Sequence, residues 1–233
     1  FFNEISFGAF ITSTGYGIDF RYAKNINYFN KTLFTISFSE IRDPKENKEL
    51  GQSYPVNRNY VYGKLNHFYP LRFSYGKQRE HFSERDRGSV SIRSVYTGGL
   101  SIGILKPVYY ESWTREGVTQ TYTKTYDKFK SSHTIATRAG YFKGIDELSI
   151  VPGITARAGL TFEYGKNNFQ IRALEGGAII DLFPKKIALL YEFEDGHKNN
   201  FLFLSFYLNY RFGYVRQEYQ EPDQSVFELL FSE

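Results

Sequence analysis

Two histidine-containing loops carry the residues that could do chemistry. His81 lies close to Ser83 and Glu84, and Asp195 stands two residues before His197. A carboxylate can orient an imidazole for general-base work, and a hydroxyl activated in this way can attack a lipid or peptide carbonyl. Such groupings are common in charged loops, however, and the chain has no G-x-S-x-G nucleophile motif. We therefore predict a protein without enzymatic activity, with a hydrolase acting through the His81 or His197 loop as the alternative.

The composition excludes several other kinds of site. None of the 233 residues is cysteine, so disulfides, thiolate zinc sites and cysteine nucleophiles are excluded together. The cluster of Glu192, Glu194, Asp195 and His197 matches neither zinc-site nor EF-hand spacing, so we predict no metal and no cofactor. The formal charge is only +4 and no block of like charge stands out, which argues against a nucleic-acid partner.

Alternation with a period of two residues dominates the sequence and predicts strands with one apolar face. In the clearest run every second residue is apolar: Leu202, Leu204, Phe206, Leu208, Tyr210 and Phe212. Aromatic residues make up 19% of the chain, and several fall near the ends of such runs, among them Tyr16, Tyr22, Tyr164 and Phe212. Rings in these positions are typical of the aromatic girdles at membrane interfaces.

The second face of the predicted strands carries charged residues. They are Asp19, Arg21, Arg72, Arg93, Arg157, Glu163, Arg172, Glu192 and Arg211. In a transmembrane barrel, apolar side chains face the lipid and charged ones fill the lumen. We therefore predict an all-β, antiparallel up-and-down barrel in the bacterial outer membrane and expect these nine residues to form a lumen charge network. A soluble lipocalin-like barrel is the alternative.

Ten strands are predicted. They cover 4–12, 16–24, 32–41, 58–67, 71–80, 89–105, 154–164, 169–181, 186–194 and 201–213. A hairpin turn at Gly98-Gly99 would raise the count to twelve. Because Ile92, Tyr96 and Leu100 keep one parity across these glycines, we predict one long strand instead. An interior of this width, filled by charged side chains, excludes a porin channel, which needs about sixteen strands.

The ten-strand count also assigns the connecting segments to sides of the membrane. With a periplasmic N-terminus, 106–153 becomes a long periplasmic insertion, although outer-membrane barrels usually keep periplasmic turns short. Twelve strands would move 110–132 outside. The predicted organisation is a barrel over 1–213 that includes this insertion, followed by a periplasmic tail over 214–233.

The tail follows an alternating strand and contains a short amphipathic segment. The strand end at 207–212 resembles the aromatic-ended assembly signal of outer-membrane proteins. Residues 225–231 begin with capping-box spacing, and Phe227, Leu230 and Phe231 would share one helix face. Because so short a helix is unstable alone in water, we predict that these three residues contact either the periplasmic rim of the barrel or a partner protein.

Six short segments support a family resemblance. In chain order they are GYGIDFRY at 15–22, SEIRDPKE at 39–46, GKLN at 63–66, GGLS at 98–101, LKPVYY at 105–110 and PGI at 152–154. They resemble segments of small outer-membrane β-barrel proteins of Bacteroidota. The resemblance implies a fold and a location, and it carries no catalytic residues.

Large envelope machines of that phylum recruit extra barrel subunits, among them the barrel-assembly complex and the type IX secretion translocon. The oversized insertion and the added helix lead us to predict an accessory or scaffold subunit of such a complex. Its partners would be outer-membrane lipids and outer-membrane or periplasmic proteins.

Overall fold

The computed structural model describes residues 2–27, 29–50, 59–82, 90–114, 117–123, 135–164, 170–192 and 198–217. In chain order its strands are β1 (Phe2–Thr12), β2 (Gly15–Asn25), β3 (Asn30–Ile41), β4 (Lys48–Glu49), β5 (Tyr60–Val61), β6 (Asn66–Phe82), β7 (Ser91–Pro107), β8 (Tyr110–Thr114), β9 (Gly117–Thr123), β10 (Ile135–Arg138), β11 (Ser149–Glu163), β12 (Gln170–Leu182) and β13 (Leu202–Gln217). A short 3₁₀ helix spans Ile145–Glu147.

Eight of these strands close into an antiparallel barrel with up-and-down topology. The order around the barrel is β1, β2, β3, β6, β7, β11, β12 and β13, and β13 pairs with β1 to complete the ring. The remaining strands form two small sheets, one of β4 and β5 and one with β8 between β9 and β10. None of the helices in the described ranges is long and apolar enough to cross a membrane.

The two faces of the barrel wall have inverted polarity, as the alternation predicts. On β13 the exposed residues are Leu202, Leu204, Phe206, Leu208, Tyr210, Phe212 and Tyr214, whereas Ser205, Asn209 and Arg211 are buried. The same holds on β2, where Ile18 is exposed and Asp19 and Arg21 are buried. An apolar exterior around a polar interior is the pattern of a barrel whose outer surface contacts hydrocarbon.

The predicted count of ten strands is wrong for two separate reasons. First, 58–67 and 71–80 are not two barrel strands, because the chain runs straight through 68–70 in β6. Pro70 has no N–H to donate, and it lies where the pairing between β3 and β6 is interrupted without a change of register, so the strand tolerates it. The twelve-strand alternative is also wrong, because it needs a turn at Gly98-Gly99 and β7 runs through both glycines.

Second, 186–194 does not form a barrel strand over its described part. Ile187 and Leu189 have the spacing of a strand, but both side chains pack into an apolar cluster at the barrel mouth. The prediction of a single strand through Gly98-Gly99 is confirmed, because β7 pairs continuously with β11 across both glycines. A Cβ on Gly99 would lie 2.0 Å from the Phe73 carbonyl oxygen, which accounts for glycine there.

Because the barrel has eight strands instead of the predicted ten, the connections are distributed differently between its two ends. One end, here called the loop end, carries the turn at 13–14 and the connections 42–65, 108–148 and 183–201. The other, the terminal end, carries the start of β1, the end of β13 and the connections 26–29, 83–90 and 164–169. The prediction placed 106–153 at the end where the chain begins, and the topology places it at the opposite end.

An apolar cluster closes the barrel at the loop end. Its members are Ile41, Phe68, Leu105, Val151, Phe183, Ile187, Leu189 and Phe203. The ring centroid of Phe68 lies 5.3 Å from that of Phe183 and 5.4 Å from that of Phe203. The connection after β12 therefore folds back into the mouth and seals it.

Candidate functional site

A cluster of ion pairs fills the middle of the lumen. Its members are Asp19, Arg21, Arg157, Glu175 and Arg211, all buried. Glu175 accepts from Arg21 Nη1 at 2.7 Å and Nη2 at 3.1 Å, and from Arg157 Nη2 at 2.7 Å. Asp19 accepts from Arg157 Nη1 and from Arg211 Nη2, each at 2.9 Å. These pairs join β2, β11, β12 and β13, so the cluster ties the barrel together across its interior.

Neutral side chains add further hydrogen bonds to Glu175 in this central cluster. The hydroxyl of Tyr207 donates to Glu175 at 2.8 Å, and that of Thr161 donates at 3.1 Å. The Arg157 guanidinium also lies 4.0 Å from the centre of the Tyr207 ring. Buried charge is tolerated only when it is paired and hydrogen-bonded in this way.

Two further sets of ion pairs lie nearer the ends. Arg72 forms a fork with Asp181, Nε to Oδ1 at 2.8 Å and Nη2 to Oδ2 at 2.7 Å. Towards the terminal end, Arg93 pairs with Glu163 and, at 3.1 Å, with Glu80. Lys31 pairs with Glu4 nearby. Together with the apolar cluster at the mouth, these layers leave a lumen filled with side chains rather than a channel.

The predicted lumen network maps onto this arrangement unevenly. The structure brings Asp19, Arg21, Arg157 and Arg211 into one cluster, and it places Arg72 and the Arg93–Glu163 pair in separate layers. Two lumen carboxylates, Glu175 in the central cluster and Asp181 nearer the loop end, were not identified in the sequence analysis. Their strand has Ile171 and Ile179 on the inward face, so its alternation does not separate polar from apolar residues.

Two of the nine predicted lumen residues lie elsewhere. Arg172 is exposed, with the outward parity of Leu174 and Ile180 on β12. Glu192 lies outside the barrel, in the connection after β12, where its carboxylate accepts a hydrogen bond from the Asn199 backbone N–H at 2.9 Å. Both residues were assigned to the lumen because they are charged. The parity of β12 would have placed Arg172 on the outer face, and a correct end for β12 would have placed Glu192 in the following connection.

The histidine loops fall largely outside the described residues. His197, Ser83 and Glu84 lie there, as do the tail residues Phe227, Leu230 and Phe231. His81 is described: its Nε2 lies 2.9 Å from the Ser94 hydroxyl, and none of the described carboxylates contacts it. Within the described ranges, no group of three or more His, Asp or Glu side chains is arranged to hold a metal ion.

A second polar site lies on the outer wall at the loop end. Glu40, His67 and Lys106 continue the outward-facing parity of β3, β6 and β7, yet all three are buried. His67 Nδ1 lies 3.4 Å from Glu40 Oε1, and Arg42 Nη2 donates to Glu40 Oε2 at 2.6 Å. The hydrogen bond to Glu40 raises the pKa of Arg42 above its usual range, so Arg42 remains cationic.

The segment that follows β10 covers these buried groups. Lys106 donates to the Tyr141 backbone carbonyl, and its ammonium lies 4.2 Å from the centre of the Tyr141 ring. The hydroxyls of Tyr141 and Tyr69 are hydrogen-bonded at 2.9 Å. The sequence signal for this site is a charged residue at the end of an apolar row, such as Glu40 after Phe34, Ile36 and Phe38.

An open cavity of about 500 Å³ lies between this segment and the barrel wall. We call it the outer-wall pocket. Its aromatic and aliphatic lining is Tyr16, Ile18, Phe38, Tyr69 and Tyr141, and its polar lining is Glu40, Arg42, His67 and Arg138. Ile18 and Phe38 belong to the exposed apolar exterior, so the pocket opens where the apolar wall meets the polar loops.

Beyond the wall, the connections at the loop end pack against each other. We call residues 59–65, 108–114 and 135–148 the loop-end platform. Tyr60, Val108 and Tyr110 form its apolar cluster. The Tyr110 hydroxyl lies 2.8 Å from the Val61 carbonyl and 2.6 Å from the Lys64 carbonyl. Burial raises the pKa of Tyr110 above its usual range, so its hydroxyl stays protonated and can donate.

The fold and the filled lumen define a closed eight-stranded β-barrel with a membrane-type exterior. No protein-family model matches the sequence, and no curated protein is significantly similar to it. Solved structures of small outer-membrane β-barrels are similar in fold. Ail, the attachment invasion locus protein of Yersinia pestis, has 10% identity and a TM-score of 0.41, covering 92% of this chain and 98% of that one.

Two other barrels have comparable scores. The N-terminal β-barrel domain of Pseudomonas aeruginosa OprF has 11% identity and a TM-score of 0.36, covering 92% of this chain and 97% of that one. Neisserial surface protein A has 8% identity and a TM-score of 0.37, covering 92% and 94%. At these values the likeness concerns general architecture and carries no information about function.

Proposed function

We propose that the chain is a non-enzymatic barrel of the bacterial outer membrane that acts as an accessory or scaffold subunit. It would hold the loop-end platform against a protein partner. The observation that carries the proposal is the contrast between the two parts of the molecule. The lumen is blocked by three layers of ion pairs and an apolar cluster, whereas the loop end carries a folded sheet, β8–β10, that barrel closure does not require.

Loop lengths support one orientation. Outer-membrane barrels have short periplasmic turns and longer extracellular loops. The connections 42–65, 108–148 and 183–201 share one end, so that end would face the outside and the terminal end the periplasm. The platform would then contact an outer-membrane protein of a partner complex. The candidate complexes are the barrel-assembly complex and the secretion complexes.

Site-specific photocrosslinking in the native envelope tests the proposal. A photoreactive residue at Asp146, which is exposed on the platform, should capture an outer-membrane protein or lipoprotein. The matched control is the same residue at Asn27, which is exposed at the terminal end. A single product from Asp146 and none from Asn27 supports the platform as the contact, and mass spectrometry of the product names the complex. If neither position yields a product and the purified barrel is alone, the scaffold role is wrong.

The predicted tail over 214–233 is a second contact, and it can be separated from the first. Replacing Phe227, Leu230 and Phe231 by serine should leave the barrel inserted and weaken co-purification of a periplasmic partner. Unchanged co-purification would restrict the contact to the platform.

A further inference from the structure

The outer-wall pocket is lined by a cationic group, Arg138, that none of the described carboxylates neutralises. Arg138 lines it and also lines two adjoining clefts. The Nε atom of Arg138 is buried without a hydrogen-bond partner, and none of the described carboxylates pairs with its guanidinium. Lys106, directly behind, contacts a backbone carbonyl and a ring but no carboxylate among the described residues. Lys106 is buried and Arg138 is partly buried, and an unpaired cation in such surroundings is costly, so an anionic ligand would stabilise this arrangement.

The remaining polar residues of the pocket do not cancel this charge. Glu40 is already engaged by Arg42 and His67. Arg42 and Arg138 therefore face one carboxylate within the pocket, which leaves an excess of one positive charge. Guanidinium groups suit phosphate in particular, because their N–H groups match the geometry of its oxygens.

The floor of the pocket has the opposite character. Ile18 is 63% exposed and Phe38 is 41% exposed, and both continue the apolar belt of the barrel exterior. Phe38 stacks on Tyr69 with ring centroids 5.8 Å apart, which gives a flat aromatic wall beneath the polar rim. A free phosphate ion gains no favourable contact from this apolar floor, whereas an acyl chain or a sugar ring attached to a phosphate can pack against it.

We propose that the outer-wall pocket binds a phosphate-bearing membrane lipid. Its phosphate lies at Arg138 and Arg42, and its apolar part follows Ile18 and Phe38 into the bilayer. In the orientation proposed above, the loop end meets the outer leaflet, so the lipid is a phosphorylated glycolipid of that leaflet. The inference depends on the proposed membrane location, and it is independent of any protein partner.

Native mass spectrometry of the full chain in a neutral detergent tests the proposal. The probes are diphosphorylated lipid A, its dephosphorylated form and phosphatidylcholine. We expect retention of the diphosphorylated lipid only. Arg138→Gln should weaken this binding about tenfold, as expected for loss of a charge-assisted hydrogen bond. Arg172→Gln, which removes an exposed arginine from β12, should leave it unchanged, and Arg42→Gln serves as a second pocket variant if Arg138→Gln does not fold.

Three results would overturn the proposal: no retention by the unsubstituted chain, equal retention by the Arg138 variant, or displacement of the lipid by millimolar inorganic phosphate. The last would identify a free-anion site. Lipid retention without a crosslinked product at Asp146 would reject the scaffold role and leave the lipid site standing. A chain that partitions into water without detergent would reject both.

Discussion

Arg21 and Glu175 face each other across the lumen and form a two-pronged ion pair, with N–O distances of 2.7 and 3.1 Å. They come from β2 and β12, which are not neighbours in the barrel, and 154 residues separate them in the chain. Glu175 also accepts from Arg157. One carboxylate thus connects β12 both to its paired neighbour β11 and, across the lumen, to the unpaired strand β2, which makes it the centre of the lumen cluster.

The substitution Glu175→Gln tests how much this central carboxylate contributes to the stability of the barrel. The substitution keeps the shape of the side chain but removes the charge that Arg21 and Arg157 share. Breaking a buried pair from one side leaves uncompensated charge, so we expect a loss of about 3–5 kcal/mol in the free energy of unfolding. Denaturant unfolding in lipid vesicles, followed by the electrophoretic mobility of the folded barrel, measures it. The control is Arg172→Gln on the exposed face, where the change should stay within about 0.5 kcal/mol. Equal effects at both positions would show that the lumen cluster has no special role.

The Arg72–Asp181 pair offers a cleaner test of how a buried pair contributes, because Asp181 accepts from no other charged group among the described residues. Asp181→Asn should cost about 3–5 kcal/mol, since the Arg72 guanidinium loses its counter-charge. The double variant Arg72→Met with Asp181→Leu should recover most of that loss, because it removes both charges and fills the space. A double variant as unstable as the single one would mean that the pair is needed for packing rather than for charge compensation.

The alternation of residues predicted the barrel, its inverted polarity and most strand positions. It did so because lipid on one side and a packed polar lumen on the other select opposite side chains at successive residues. The strand through Gly98-Gly99 was predicted correctly for the same reason, since Tyr96 and Leu100 keep their parity. Local pattern was sufficient for strands whose two faces differ clearly in polarity, and it failed on β12, where Ile171 and Ile179 share the inward face with Glu175.

The errors arose where a tertiary contact decides the structure. Pro70 signals a turn in isolation, and the missing pairing with β3 at this position allows it inside a strand. Ile187 and Leu189 alternate like a strand because they fill the barrel mouth. Arg138 carries no periodic signal, and its place beside Lys106 follows from how the 108–148 connection folds back on the wall.

The apolar exterior makes a depth-dependent prediction. Leu208 is exposed at the middle of β13 and Tyr214 is exposed near its end. In a bilayer, Leu208→Arg should cost about 2–4 kcal/mol of folding free energy, and Tyr214→Arg should cost about 0–1 kcal/mol because it lies near the interface. Unfolding titrations of both variants in vesicles provide the comparison. Two small and equal effects would indicate that the exterior is not in contact with hydrocarbon and would favour a soluble barrel.

The loop-end platform should lose stability at alkaline pH through Tyr110. Burial raises the pKa of Tyr110, so the folded platform holds the hydroxyl proton more tightly than the unfolded chain does. The resulting stability is complete below pH of about 10, the usual tyrosine pKa, and is lost as the pH rises above it. Emission from Trp113 in β8, the single tryptophan, is the signal used to follow unfolding of the platform.

The substitution Tyr110→Phe should reduce the loss of stability at alkaline pH. It should also cost about 1 kcal/mol at neutral pH, because the hydrogen bond to the Val61 and Lys64 carbonyls is gone. Tyr109→Phe, whose hydroxyl instead contacts Glu147, should leave most of the alkaline loss in place. An unchanged pH profile in the Tyr110 variant would assign the loss to another group.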